Sequence, residues 1–359
     1  MSEQTQLVKS IKERISSKMK AMVLHKPASI EDRPLKLEEV NIGEPRQNEV
    51  LVEVEVCGVC RTDLHVVEGD LPQLVSKITP GHEIVGKVTR TGNSVRTVSV
   101  GDRVGIPWLH HTCGRCEFCI SGRENLCDNK VFTGYTFDGG YAQYAIGEEG
   151  FVFKLPATLD PKKEAPLLCA GIIGYRALKA ALPRPGGRIG LFGFGGSAHL
   201  VLQLAIKQGY ETAAFSTNPA HLELAKSLGA SETILTKRGE LDPKDDRRNL
   251  DSAIVFAPAG SVVLQALSSL KKGGCVAIAA IHMDTIPPIN YDQYLFGERK
   301  IVSVEANTRV DAKEFLELAT RLKLESSVTL RNLDEANEAL ADLKNGKVSG
   351  AFVLECKQT

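Results

Sequence analysis

The chain has 359 residues, 44 of them basic and 44 acidic, so its formal net charge is +0. A content of 43% hydrophobic and 25% charged residues is that of a folded globular protein of two or three domains, not of a disordered chain. The charge balance excludes a broadly basic nucleic-acid binder, and no uninterrupted apolar run reaches the ~20 residues of a membrane span.

Residues 1–18 are polar, with apolar positions at Leu7, Val8, Ile11 and Ile15. That spacing predicts a short amphipathic helix. The segment has no apolar signal-peptide core and reads as a surface extension ahead of Met19. From 20 to about 155 the pattern is β-rich, with strands expected at 21–24, 49–56 and 84–91 and frequent glycine turns between them. No sustained helical period shows in this stretch. After 155 short apolar runs alternate with helical segments. Strands are expected at 188–194, 211–216, 253–256 and 275–281, with helices at 198–209 and 220–228, which predicts βαβ units and a parallel sheet. The last segment, 311–357, reads as two helices and a final strand at 351–355.

Nine cysteines are too sparse for a disulfide scaffold, and their number is odd. Four of them, Cys113, Cys116, Cys119 and Cys127, fall in the pattern C-x2-C-x2-C-x7-C. Such clustering points to a metal site in a reducing, cytoplasmic setting. Four thiolates on polar turns complete a tetrahedral zinc shell with no open position, which makes the site structural. An iron–sulfur cluster is the rival reading of the same four residues.

A second group is spread along the chain. Cys57-Gly58-Val59-Cys60-Arg61-Thr62-Asp63-Leu64-His65 follows a strand, and Gly81-His82-Glu83 precedes another. Taken singly, Cys57 and Cys60 read as a redox pair and His82 as an ordinary turn histidine. Taken with the four-cysteine lobe they suggest thiolate and imidazole ligands on neighbouring loops, with Cys169 a candidate third ligand. Two thiolates and one imidazole leave a fourth position for water or an alcohol oxygen, the arrangement of a catalytic zinc. Asp63 or Glu83 is placed to orient His82.

A third motif, Gly193-Phe194-Gly195-Gly196-Ser197-Ala198, ends a strand and opens a helix. It reads as G-x-G-x-x-A. The glycines permit the turn and close approach of a pyrophosphate, and the small third residue permits helix–strand packing. The carboxylate that would hold an adenosine ribose belongs at the end of the second strand, where Ser216 and Thr217 stand instead. Its absence favours NADP over NAD, although no Arg follows to clamp a 2′-phosphate.

The sequence resembles the zinc-dependent medium-chain alcohol dehydrogenases from Met19 to the C-terminus. The resemblance is carried by Cys60-Arg61-Thr62-Asp63, Gly81-His82-Glu83, the 113–127 lobe, Cys169 and the 193–198 loop. It implies that Cys60, His82 and Cys169 bind a catalytic zinc and that Cys113, Cys116, Cys119 and Cys127 bind a structural one. It implies that Thr62 passes the alcohol proton through the cofactor ribose towards His65, that Arg61 meets the pyrophosphate, and that Trp108 narrows the substrate pocket. The implied fold is α/β: a doubly wound Rossmann domain at 162–302, inserted in a β-rich GroES-like catalytic domain at 19–161 and 303–359, with the zinc lobe at about 108–130. The implied reaction is reversible oxidation of a primary or secondary alcohol to an aldehyde or ketone by NAD(P)+, in a homo-oligomer (dimer or tetramer) with no nucleic-acid or membrane partner. The departures are Ala198 for the third glycine, Ser216 for the acid, and Ala351 where many relatives carry Arg. The rivals are a zinc-dependent polyol dehydrogenase, a branch that often has Glu at the place of Cys169, a zinc-free quinone reductase, and a non-catalytic zinc- and dinucleotide-binding relative.

Overall fold

The computed structural model describes residues 18–156, 160–237 and 249–357. The helix expected at 1–18 lies outside them apart from Lys18, which opens the first strand. Strand β1 (Lys18–Leu24) pairs antiparallel with β2 (Leu35–Asn41). A larger antiparallel sheet follows, in which β3 (Glu49–Val59), β4 (Glu83–Thr91) and β5 (Arg103–Ile106) lie side by side. Val50, Val52 and Val54 of β3 enter one core, as the two-residue period of a strand requires.

Between β3 and β4 lies α1 (Arg61–Glu68), a helix not foreseen from the sequence. Two turns are too few to display a helical period. Its ends are set locally instead. Cys60 N donates to Asp63 Oδ2 at 2.9 Å, and Gly69, with φ 83°, closes the helix in the left-handed conformation. Strands β6 (Leu109–His111) and β7 (Val131–Phe132) pair with each other at the two ends of the cysteine lobe. β8 (Tyr144–Glu148) adds to β3, and β9 (Phe153–Lys154) adds to β5.

Helix α2 (Ala170–Ala180) leads into the alternating region. There β10 (Arg188–Phe192), α3 (Gly196–Lys207), β11 (Glu211–Ser216), α4 (Pro219–Ser227) and β12 (Glu232–Leu235) follow in turn. They are succeeded by β13 (Leu250–Val255), α5 (Gly260–Ser268), β14 (Leu270–Ile278) and β15 (Lys300–Ser303). The six strands form one parallel sheet in the order β12-β11-β10-β13-β14-β15. Alternate residues of each strand enter different cores. Ile189, Leu191, Ala214, Ile254 and Ala277 pack with α2, α3 and α4, while Phe192, Ala213, Val255 and Val276 pack with α5. Burial on both faces is why these strands read as continuous apolar runs. The strand order reverses between β10 and β13, and the crevice at their C-terminal ends is where such sheets bind ligands.

Helix α6 (Arg309–Leu322) follows, then β16 (Val328–Asn332), α7 (Ala336–Lys344) and β17 (Ala351–Glu355). β17 pairs antiparallel with β3, so the C-terminus returns to the first sheet. The hand-over expected at 302/303 comes before α6, yet that helix buries Ala312, Phe315 and Ala319 in the core of α2 and α3. Its apolar face packs it on the helices of the parallel-sheet layer.

Candidate active site

Cys60 stands at the end of β3 as the residue before α1, His82 immediately before β4, and Cys169 immediately before α2. Three distant segments thus converge. The Cys60 and Cys169 Sγ atoms are 3.9 Å apart, and one ligand atom of each of the three residues lies within 4.8 Å of the others. His82 is fully buried, its Nδ1 is 2.9 Å from Asp63 Oδ1, and its Nε2 has no hydrogen-bond partner. A buried imidazole nitrogen facing two thiols without a partner is a donor set that fits a zinc ion with one position left for substrate.

Asp63 fixes this geometry. Besides His82 it accepts from Cys60 N, from Gly81 N at 3.2 Å and from Tyr141 Oη at 3.1 Å. A carboxylate can only accept, so His82 Nδ1 carries the hydrogen and Nε2 is free to ligate. Burial opposes the charged imidazole, but the Asp63 carboxylate outweighs it and raises the His82 pKa well above the ordinary value. The hydrogen bond between the Cys60 and Cys169 sulfurs holds the Cys60 thiol pKa well below the usual range and the Cys169 pKa well above it. The Glu83 side chain hydrogen-bonds elsewhere than to His82. Its Oε1 accepts from Ala170 N at 3.3 Å, next to Cys169, and burial followed by the nearby Cys60 charge pushes its pKa well up. A Cβ on Gly58, across the β3–β4 ladder from Glu83, would stand 1.8 Å from Glu83 Oε2, so glycine is required there.

Cys60 and Cys169 line a cleft of about 980 Å³ between the two sheets, with His82 buried behind them. Thr62 and His65 line it from α1, with Thr62 Oγ1 3.6 Å from Cys60 Sγ. Arg61 lines it too and donates to Leu343 O at 3.1 Å. Trp108 meets His82 edge-on at 4.8 Å between ring centroids and stacks on Phe132 at 4.7 Å and Tyr135 at 6.0 Å. Phe132, Tyr135, Ile173 and His282 also line the cleft and were not foreseen. They come from β7, the turn after it, α2 and the segment after β14, and only the fold brings them to one cleft.

At the far end of the cleft lie Gly193, Gly195, Gly196, Ser197, Ala198, Ser216 and Thr217. Gly193 has φ 86°, and a Cβ there would approach Ala257 N to 2.9 Å. A Cβ on Gly195 would meet nothing within 4 Å. Helix α3 starts at the next residue with no side chain capping it. Its free N–H groups and open approach fit a dinucleotide pyrophosphate. The strand expected at 188–194 ends at Phe192 because this turn begins there.

Away from the cleft, Cys113, Cys116, Cys119 and Cys127 place one Sγ each within 4.8 Å of one another. The Cys116–Cys119 separation is 3.5 Å and the Cys113–Cys119 separation 3.9 Å. Backbone N–H groups of Arg115 and Cys116 lower the Cys113 pKa to about 6. Four convergent thiols fit a second zinc with no position open. Cys57 is fully buried and belongs to neither group.

Comparison with known proteins agrees with this geometry. Residues 46–157 match the alcohol dehydrogenase GroES-like domain, and residues 196–321 match the zinc-binding dehydrogenase family. The chain is 44% identical over 341 residues to a Mycobacterium tuberculosis protein described as "Probable alcohol dehydrogenase AdhA", covering 94% of this chain and 97% of the relative. It is 38% identical to an alcohol dehydrogenase of Geobacillus stearothermophilus, covering 91% and 97%. The structure of acetophenone reductase from Geotrichum candidum in complex with NAD superposes with a TM-score of 0.85 at 26% identity, covering 95% of this chain and 98% of that one. With one zinc-type ligand group at the cleft and a second away from it, the chain belongs to the zinc-containing medium-chain alcohol dehydrogenase family and is an NAD(P)-dependent alcohol dehydrogenase.

Proposed function

We propose that Cys60, His82 and Cys169 hold the catalytic zinc, that Cys113, Cys116, Cys119 and Cys127 hold the structural zinc, and that Thr62 and His65 move the proton of the alcohol. The observation that carries this reading is the partnerless Nε2 of buried His82 beside two thiols that line the cleft. When bound, zinc supplies Lewis-acid polarisation of the substrate oxygen and NAD(P)+ supplies the hydride acceptor. Thr62 Oγ1, held beside Cys60, takes the hydroxyl proton as it gives up its own towards His65. Asp63 orients His82, and Glu83 steadies the backbone beside Cys169. Trp108, Phe132 and Tyr135 form an aromatic wall that excludes water and favours apolar substrates of short or modest length.

Arg61, Gly193, Gly195, Gly196, Ser197 and Ala198 bind the cofactor phosphates, and Ser216 and Thr217 face its adenosine ribose. NADP is the favoured cofactor, since Ser216, Thr217, Asn218 and His221 line the end of β11 without a carboxylate. The nucleotide-binding unit spans 162–322, extended past 302 by α6, and the catalytic unit comprises 19–161 and the remainder to 359. A homo-oligomer is supported by β15, the outer strand of the parallel sheet, with Tyr291 and Phe296 exposed beside it. A cytoplasmic location is supported by nine unpaired cysteines. No helix among the described residues is long and apolar enough to cross a membrane.

The test is a steady-state comparison of NAD+ and NADP+ across primary, secondary and aromatic alcohols. The account predicts alcohol-dependent reduction with a lower KM for NADP+. No reduction of either cofactor with any alcohol would contradict it.

A further inference from the structure

Helix α3 opens from the dinucleotide loop and is also bonded to the antiparallel sheet. His199, in its first turn, is fully buried. Its Nε2 lies 3.3 Å from Ser327 N, and its Nδ1 lies 3.3 Å from Gly195 O, the carbonyl that also takes the helical bond from His199 N at 3.1 Å. A backbone N–H can only donate, so Nε2 is the bare nitrogen and Nδ1 carries the hydrogen given to Gly195 O. Burial pushes the His199 pKa down to about 4, which keeps the ring in this neutral form. One turn along, Gln203 Nε2 donates to Glu325 O at 2.9 Å and Gln203 Oε1 accepts from Glu325 N at 3.2 Å. Two side chains of α3 therefore grip residues 325–327, the link between α6 and β16. That link is fastened in turn to the strand that leads to Cys60. Ser327 O accepts from Ala351 N at 2.9 Å, and the next residue of β17, Phe352, pairs with Val59, the last residue of β3. Gly195, Gly196, Ala351 and Cys60 all line the one cleft.

We infer that His199 and Gln203 are positioning residues for hydride transfer, fixing the distance between the dinucleotide loop and the candidate metal group. In that step the carbinol C–H bond breaks and its hydrogen and electron pair pass to the nicotinamide ring, so the alcohol is oxidised and the cofactor reduced. The two reacting carbons must meet at contact distance. The alcohol is placed from the Cys60 side and the cofactor from the loop, so their separation is set by what joins the two. His199 and Gln203 make that join through residues 325–327 and β17. The N–H groups at the start of α3 are free without them, so the two side chains govern where the cofactor sits more than how tightly it is held. An apolar residue at 199 leaves Ser327 N without its acceptor and lets α3 shift against the link. The inference rests on the proposed metal-binding role of Cys60, His82 and Cys169 and on the proposed cofactor-binding role of the 193–198 loop.

The test uses the zinc-loaded enzyme with His199→Leu, His199→Gln and Gln203→Met. Hydride transfer is read as the single-turnover rate of NADP+ reduction at saturating cofactor and alcohol, with slowing by deuterium at the carbinol carbon marking the step. NADPH affinity is read by fluorescence titration, zinc by elemental analysis and folding by the denaturant midpoint. His199→Leu is expected to slow hydride transfer about 10-fold, while the NADPH Kd moves less than about 3-fold and the zinc content holds. His199→Gln, whose amide can accept from Ser327 N, is expected to recover most of the rate. Gln203→Met, which removes the bonds to Glu325, is expected to slow the step about 3-fold and decides the matter if His199→Leu does not fold. A wild-type single-turnover rate in folded His199→Leu or in Gln203→Met, equal losses in His199→Leu and His199→Gln, or a loss confined to NADPH affinity or to the denaturant midpoint would overturn the positioning role. No alcohol-dependent reduction by the zinc-loaded wild type would instead overturn the proposed sites and the inference with them.

Discussion

Glu164 is a carboxylate enclosed just ahead of the segment that carries Cys169. Both its oxygens are buried without a partner, and burial pushes its pKa from 4.5 up to about 7, partly offset by Arg103. The sign of the consequence follows from linkage. Below about pH 4.5 the group is protonated in both the folded and unfolded states and costs nothing. Between about pH 4.5 and pH 7 only the unfolded state ionises, so folding loses stability steadily, and above about pH 7 the cost is constant at up to ~3 kcal/mol. Glu164→Gln should therefore be more stable than wild type at about pH 8 and gain little at about pH 5, as read by denaturant unfolding. An equal gain at both values would contradict the burial account. At this scale the ligands were legible because thiolate and imidazole chemistry restricts the choice to few residue types. Which carboxylate serves His82 was not legible: Asp63 and Glu83 flank the site alike in sequence, and only the helix start at Cys60 aims Asp63 at the imidazole.

The glycine loop shows what an element adds to its motif. Gly193 and Gly195 look equivalent as letters, but one is constrained by backbone and the other by open space. Gly193→Val places a branched side chain at φ 86° against Ala257 N, so it should lower folding stability by about 1–3 kcal/mol, seen as an earlier denaturant midpoint. Gly195→Val leaves the fold unstrained, because its Cβ points into free volume. It should leave the midpoint near wild type while weakening cofactor binding at least 10-fold, measured by NAD(P)H titration. Equal effects of the two changes on stability would contradict this division. The parallel strands and the helices α3 and α4 were legible to within a few residues because their apolar runs are buried on both faces. Helix α1 was missed, since its existence rests on caps and on Asp63, not on periodicity.

At the scale of the whole molecule, the order of the motifs already implied one unit set inside another, and the pairing of β17 with β3 accords with that order. The packing of the segment after 302 was less legible. Helix α6 reads as an ordinary amphipathic segment, and only the fold shows that it buries Phe315 against α2 and α3. One cleft is lined both by Cys60 and Cys169 of the candidate metal group and by the glycine loop. The most direct measurement of this arrangement is the zinc content per chain, by elemental analysis, of wild type and Cys60→Ala, with alcohol-dependent NAD(P)+ reduction read on the same samples. The account predicts two zinc ions and turnover for wild type, and one zinc ion and no turnover for Cys60→Ala, because only one of the two ligand groups is broken. A Cys60→Ala protein that turns over at the wild-type rate, or one that loses activity while holding two zinc ions, would contradict it.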